Sequence, residues 1–97
     1  MRKFHIVAYD VSDDKLRRRV CKFLEGHGER LQYSVFCCRL TERELASLRR
    51  ELTELISPEP EATVIFVQAG DVRDMCSQPD ILWIGRDAAD FSSTNVL

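Results

Sequence analysis

Within residues 8–19, AYDVSDDKLRRR, the carboxylates Asp10, Asp13 and Asp14 stand directly ahead of Lys15, Arg17, Arg18 and Arg19, with Lys22 a turn further on. These residue types suit two kinds of chemistry. A carboxylate held at the end of a strand ligates Mg²⁺ through oxygen and leaves coordination positions for water and a phosphate group. Guanidinium groups grip phosphate bidentately and hold a nucleic-acid backbone without reading its sequence. Each residue also has a plainer role. Asp13 and Asp14 suit a helix start through capping and the helix dipole. Asp10 suits a hydrogen bond to the turn after a strand, and the basic residues suit a solvated surface. Arg17, Arg18, Arg19 and Lys22 cannot all share one helical face, because successive residues sit about 100° apart. One carboxylate is a sparse site for a hard cation, and a two-fold axis close to Asp10 would supply a second copy of it.

Other chemistry is thinly represented. Tyr9, Tyr33, Phe36 and Trp83 are the aromatics available to stack on bases, although in short strands such residues more often fill a core. His5 and His27 lack an obvious second ligand, no Ser/His/Asp set can be assembled, and there is no glycine-rich phosphate loop. Cys21, Cys37, Cys38 and Cys76 form no CxxC pair, and adjacent Cys37 and Cys38 would point to opposite faces of a strand. Free thiols are the expectation.

The elements that must position these residues follow from periodicity. Residues 3–9 are aromatic and β-branched, without Gly or Pro, and read as a buried strand. Ser12 or Asp13 can cap a helix whose apolar face is Leu16, Val20, Phe23 and Leu24, ending in Gly26-His27-Gly28. The stretch GERLQYSVFCCRL is extended by composition, but without a Gly or Asn-Gly turn it reads equally as one long strand or as two joined by a bend. Thr41 with Glu44 makes a capping-box pattern ahead of Leu45, Leu48, Leu52, Leu55 and Ile56. Pro58 and Pro60 close that helix, residues 62–68 read as another strand, and DILWIG at 80–85 is a short strand-like run. The domain is expected over residues 1–86, with a loosely ordered tail over 87–97.

If the extended stretch is a hairpin, the order is the α+β, ferredoxin-like βαββαβ plan, with both helices on one face of an antiparallel sheet. The other face, also apolar, then needs cover, and dimerisation supplies it economically. At 97 residues the chain buries somewhat over ~60% of its unfolded surface, enough for one modest core. The apolar run IVAY near the start is far too short for a signal-peptide core or a membrane span, so a cytosolic protein with no membrane association is expected. Charge is divided unevenly: residues 1–50 carry 12 Lys/Arg against 7 Asp/Glu, and residues 51–97 carry 2 against 9. The basic half suggests contact with a polyanion, although the net charge of -2 fails the simplest nucleic-acid criterion.

Taken together, YDVSDDKLRRRVCKFL followed by HGERLQYSVF resembles the small CRISPR-associated spacer-acquisition endonuclease family, ferredoxin-like homodimers that partner the CRISPR integrase. The likeness runs over roughly residues 3–68. It implies that Asp10 is the catalytic, Mg²⁺-binding aspartate, one from each subunit facing across the dimer axis. It places Arg17 and Arg19 on the basic positions of the helix, where Arg18 and Lys22 would add nucleic-acid contacts. Tyr9, Gln32, Tyr33, Ser34 and Phe36 fall on positions that support the site or the dimer interface. The resemblance further implies that the 28–40 stretch splits into two strands and that ILWIG is an extra C-terminal strand pairing with the other subunit. Cys37 stands where the family commonly has an acidic residue, which removes one carboxylate from that neighbourhood.

Two functions of different kind follow. One is a Mg²⁺-dependent endonuclease acting on single-stranded RNA or duplex DNA. The other is a non-catalytic architectural dimer that binds duplex DNA and bridges integrase units, for which the acidic C-terminal half would be a docking surface. A third, a regulatory module binding a small ligand, stays open because fold does not fix function.

Overall fold

The computed structural model describes residues 1–74, 77–82 and 84. The branched and aromatic run near the N-terminus forms β1 (Lys3–Asp10), and the acid-rich stretch after it turns into α1 (Asp14–Glu25). There follow β2 (Gly28–Gln32), β3 (Val35–Leu40), α2 (Glu42–Ile56) and β4 (Thr63–Asp71). The strands make one antiparallel sheet in the order β2-β3-β1-β4, so the βαββαβ expectation holds and the 28–40 stretch is a hairpin. No described helix is long and apolar enough to cross a membrane.

Local chemistry accounts for the helix starts. Asp13, rather than Ser12, caps α1 by accepting from the Leu16 N–H at 2.8 Å. Thr41 and Glu44 close the expected capping box on α2, with bonds of 3.1 and 2.8 Å. At the end of α1, Gly26 keeps a right-handed conformation. Gly28 is the glycine that packing demands: a Cβ there would lie 2.7 Å from Cys38 Sγ and inside contact of the Cys37 carbonyl. β4 runs three residues past the expected Gln68, through a bulge opposite β1 with Gly70 at φ 112°. A positive φ of that kind suits glycine.

Alternation along β1 divides the core in two. Val7 and Tyr9 face the helices and pack with Leu16, Val20, Leu24, Phe36, Leu48 and Leu52. Phe4, joined by Ile6, faces the other way, with Leu31 and Cys37. Cys38 belongs to the helix side and Cys37 to the opposite side, as their adjacency requires. That second face is only partly covered. Ile81 packs on it, while Ile65 and Val67 are 58% and 52% exposed.

The expected extra strand is not formed within this chain. Residues 80–82 and 84 carry no strand pairing, although β2 and β4 are edge strands of the sheet. Trp83, Gly85, Cys76 and the 87–97 tail lie outside the described residues.

Candidate metal and nucleic-acid site

Asp10 is the last residue of β1. The even-numbered residues of that strand point to the uncovered face, so Asp10 stands at the rim of the apolar patch, exposed and paired in register with Thr63. Among the described residues no three His, Cys, Asp or Glu side chains converge to hold a metal ion. An exposed carboxylate is a suitable ligand for a hard, largely hydrated cation, but this one stands as a single carboxylate. Cys37 does not extend it: burial, and then Glu29, pushes its thiol up to about 11, so it stays protonated and neutral. His5 is buried against the helices, where desolvation and then Lys3 lower its pKa.

The loop after Asp10 is gripped from both sides. Its amides point at Glu59, which accepts from Ser12 N–H at 3.2 Å and Asp13 N–H at 3.0 Å. Its carbonyls point at Arg17, whose Nη1 donates to Val11 O at 3.0 Å and Ser12 O at 3.2 Å, while Nη2 pairs with Asp14. Asp14 first and Tyr33 second raise the Arg17 pKa. Arg17, expected to take phosphate, is thus committed to the backbone of its own loop.

The remaining bases arrange themselves differently. Lys15, Arg18, Arg19 and Lys22 are exposed and spaced i, i+3, i+4, i+7 along α1, opposite its buried Leu16, Val20 and Leu24. They therefore form one stripe. Four basic side chains do share a face, with Lys15 in place of Arg17.

Of the supporting residues, Tyr9 and Phe36 are buried and stacked on each other, with ring centroids 6.3 Å apart. Desolvation, then a hydrogen bond with Cys21, pushes the Tyr9 phenol up to about 12. Neither ring is available to a base. Gln32 is exposed, and Ser34 receives the Tyr9 N–H at 3.1 Å, joining the hairpin turn to β1 one residue before Asp10. Tyr33 differs from both other aromatics: it is 68% exposed at the tip of the turn.

Two residues that bear on the site were not singled out from sequence. Glu59 lies 47 positions from Ser12; the only local hint is Pro58 and Pro60, which restrict the backbone on either side of it. Arg30 caps the hairpin, donating from Nη2 and Nε to the Tyr33 carbonyl at 2.8 and 3.3 Å. The Tyr9 hydroxyl adds a third donor at 3.3 Å.

Residues 2–75 match the family model of CRISPR associated protein Cas2. A CRISPR-associated endoribonuclease Cas2 from Thermus thermophilus is 43% identical over 67 residues, covering 68% of this chain and 71% of that protein. A crystal structure of Streptococcus pyogenes Cas2 superposes with a TM-score of 0.59 at 30% identity, over 66% of this chain and 82% of its own. A chain of a partial Cas6-RT-Cas1–Cas2 complex gives a TM-score of 0.67 over 86% of this chain and 100% of its own. At 24% identity that last likeness is one of fold alone.

Proposed function

The chain belongs to the CRISPR associated protein Cas2 family, a family of CRISPR adaptation proteins, and from that premise we propose that it acts as a homodimeric, Mg²⁺-dependent endonuclease. In this reading it hydrolyses phosphodiester bonds of RNA or DNA and works with the CRISPR integrase in spacer acquisition. The observation that carries it is the position of Asp10, a carboxylate at the rim of a partly covered apolar face, close in sequence to a stripe of four bases. A second copy mated through that face would bring its own Asp10 alongside. The endoribonuclease named among the relatives supports the hydrolytic class.

Each group then has a task. The two Asp10 carboxylates would hold the ion, and the α1 stripe would hold the nucleic-acid backbone through Lys15, Arg18, Arg19 and Lys22. Glu59 and Arg17 fix the loop between them. When bound, Mg²⁺ supplies Lewis acidity toward the phosphoryl oxygen and a more acidic water, so no histidine base is required.

The architectural reading has its own support. The stripe needs neither Asp10 nor a metal, and one chain offers a single carboxylate. A rigid dimer could therefore bind duplex DNA and space integrase units without cleaving anything. The deciding experiment incubates labelled single-stranded RNA and duplex DNA with wild type and Asp10→Asn, in Mg²⁺ or in EDTA. Cleavage that needs both Mg²⁺ and Asp10 is the expected result and names the substrate. Cleavage that survives EDTA or the substitution overturns the assignment of Asp10. Binding without cleavage in Mg²⁺ replaces the nuclease with the architectural dimer.

A further inference from the structure

Tyr33 presents a problem that the hairpin alone does not explain. The turn uses its backbone carbonyl, which takes the donors of Arg30 and Tyr9, and any residue supplies a carbonyl. The aromatic ring is left 68% exposed, yet it is not loose. The Arg30 guanidinium lies over it, 5.3 Å from the centroid. With one face under Arg30 and most of the ring in solvent, the other face is open. A ring already held in one orientation loses little further entropy when a flat ligand settles on it.

The surroundings define that ligand. The Arg30 guanidinium lies over the ring, and the Ser34 carbonyl ties the turn to Tyr9, one residue before Asp10. A planar group joined to phosphates fits this setting. We propose that Tyr33 is a stacking platform for one unpaired base, so that the nucleic acid bound at this site carries a single-stranded nucleotide beside Asp10. The proposal rests on the nucleic-acid reading above and adds the side chain that receives a base. A paired base keeps its faces inside the duplex stack and cannot use such a platform, whereas single-strand binders recruit aromatic rings for this purpose.

The test compares wild type, Tyr33→Phe and Tyr33→Leu. Affinities are measured by fluorescence anisotropy for a single-stranded oligonucleotide and a blunt duplex, and a fluorescent purine analogue in the single strand reports stacking. Loss of one base–ring stack weakens binding by roughly 5- to 100-fold. Tyr33→Leu is expected to lose that much affinity for the single strand, together with the quenching of the purine analogue, and to keep wild-type affinity for the blunt duplex. Tyr33→Phe is expected to retain both. Equal affinities of wild type and Tyr33→Leu for the single strand overturn the proposal. So does a parallel loss on both ligands, or a shift of the leucine variant to monomer in sedimentation, which would assign the ring to a subunit interface. A triple change of Arg18, Arg19 and Lys22 to Ala separates the two levels: if it leaves binding of both ligands intact at low salt, the nucleic-acid reading of the stripe fails first.

Discussion

Replacing Glu59 tests whether the loop after Asp10 is held by a residue from the far side of the chain. Its carboxylate accepts two backbone N–H bonds, at 3.2 Å from Ser12 and 3.0 Å from Asp13, next to the positive end of α1. Hydrogen bonds to a charged group contribute about 1.5–3 kcal/mol where they are sheltered. This loop is exposed, so each bond is placed at about 1 kcal/mol, below that range. Glu59→Ala removes both and should cost about 2 kcal/mol; Glu59→Gln keeps one acceptor and should cost about half as much. In a domain of this size 1 kcal/mol moves the melting temperature by about 4–8 °C, so the alanine variant should melt about 8–16 °C lower. Thermal unfolding is run at fixed protein concentration, since any subunit association would add apparent stability. Glu61→Gln, a change of a neighbouring exposed acid, serves as the control and should stay within about 0.5 kcal/mol of wild type. Amide exchange gives the local readout, with the Ser12 and Asp13 N–H groups losing protection in the alanine variant before the core strands do. Unchanged melting together with unchanged exchange at those two amides would refute the clamp.

Two further outcomes follow from the charges. In duplex binding measured across a salt series, alanine at Arg18, Arg19 or Lys22 should each reduce the slope of log K against log salt by about 1. Arg17→Ala should leave that slope alone, because its donors are engaged with Val11, Ser12 and Asp14; a reduction equal to that of its neighbours would restore it as a phosphate ligand. The Arg2 guanidinium, and then the Thr41 backbone N–H, pulls the Glu44 carboxyl down to about 2 from its ordinary 4.5. A folded value below the unfolded one means stability that is present above the unfolded pKa and lost as pH falls through the folded one. Urea midpoints of wild type should therefore decline between pH 4.5 and about 2 more steeply than those of Glu44→Gln, and parallel declines would show that the Arg2–Glu44 pair contributes nothing.

What the sequence made legible was local. The Thr41–Glu44 box and the Asp13 cap involve residues three apart, and the apolar faces of both helices repeat within a few turns, so each could be read without knowledge of the rest. The hairpin could not be read from its residues alone, because its turn uses no left-handed backbone: no described non-glycine residue has a positive φ. Arg30 and Tyr9 satisfy the Tyr33 carbonyl instead, and nothing in YS announces that. The partners of Arg17 were hidden for a related reason. Its place among three arginines suggested a phosphate ligand, but its partners are the carbonyls of residues five and six positions back, which become reachable only once the loop is folded. Glu59 arrives through the tertiary fold and had no local signature beyond its two prolines. For residues 80–82 and 84, a strand is defined by its neighbour, and apolar composition alone does not say which neighbour it takes.

The exposed part of the second sheet face and the position of Asp10 have one structural origin. Because side chains alternate along a strand, Phe4, Ile6, Ala8 and Asp10 all project to the same side of β1, and β4 sets Val67, Ile65 and Thr63 opposite the last three of them. Whatever covers Ile65 and Val67 must also come close to Asp10. For a mate of different sequence, any residue could lie there. For a second copy arranged about a two-fold axis near the strand end, the residue that meets Asp10 is another Asp10, and two unscreened carboxylates at close range oppose the contact that the apolar face favours. A divalent cation between them removes that conflict, so burial of the apolar face and binding of the ion would each strengthen the other. Substitution of Asp10 by Asn relieves the repulsion and removes the ligand charge in a single step. Dimerisation without metal should then become easier while metal binding is lost, a pairing of effects that burial of an apolar surface on its own would not produce.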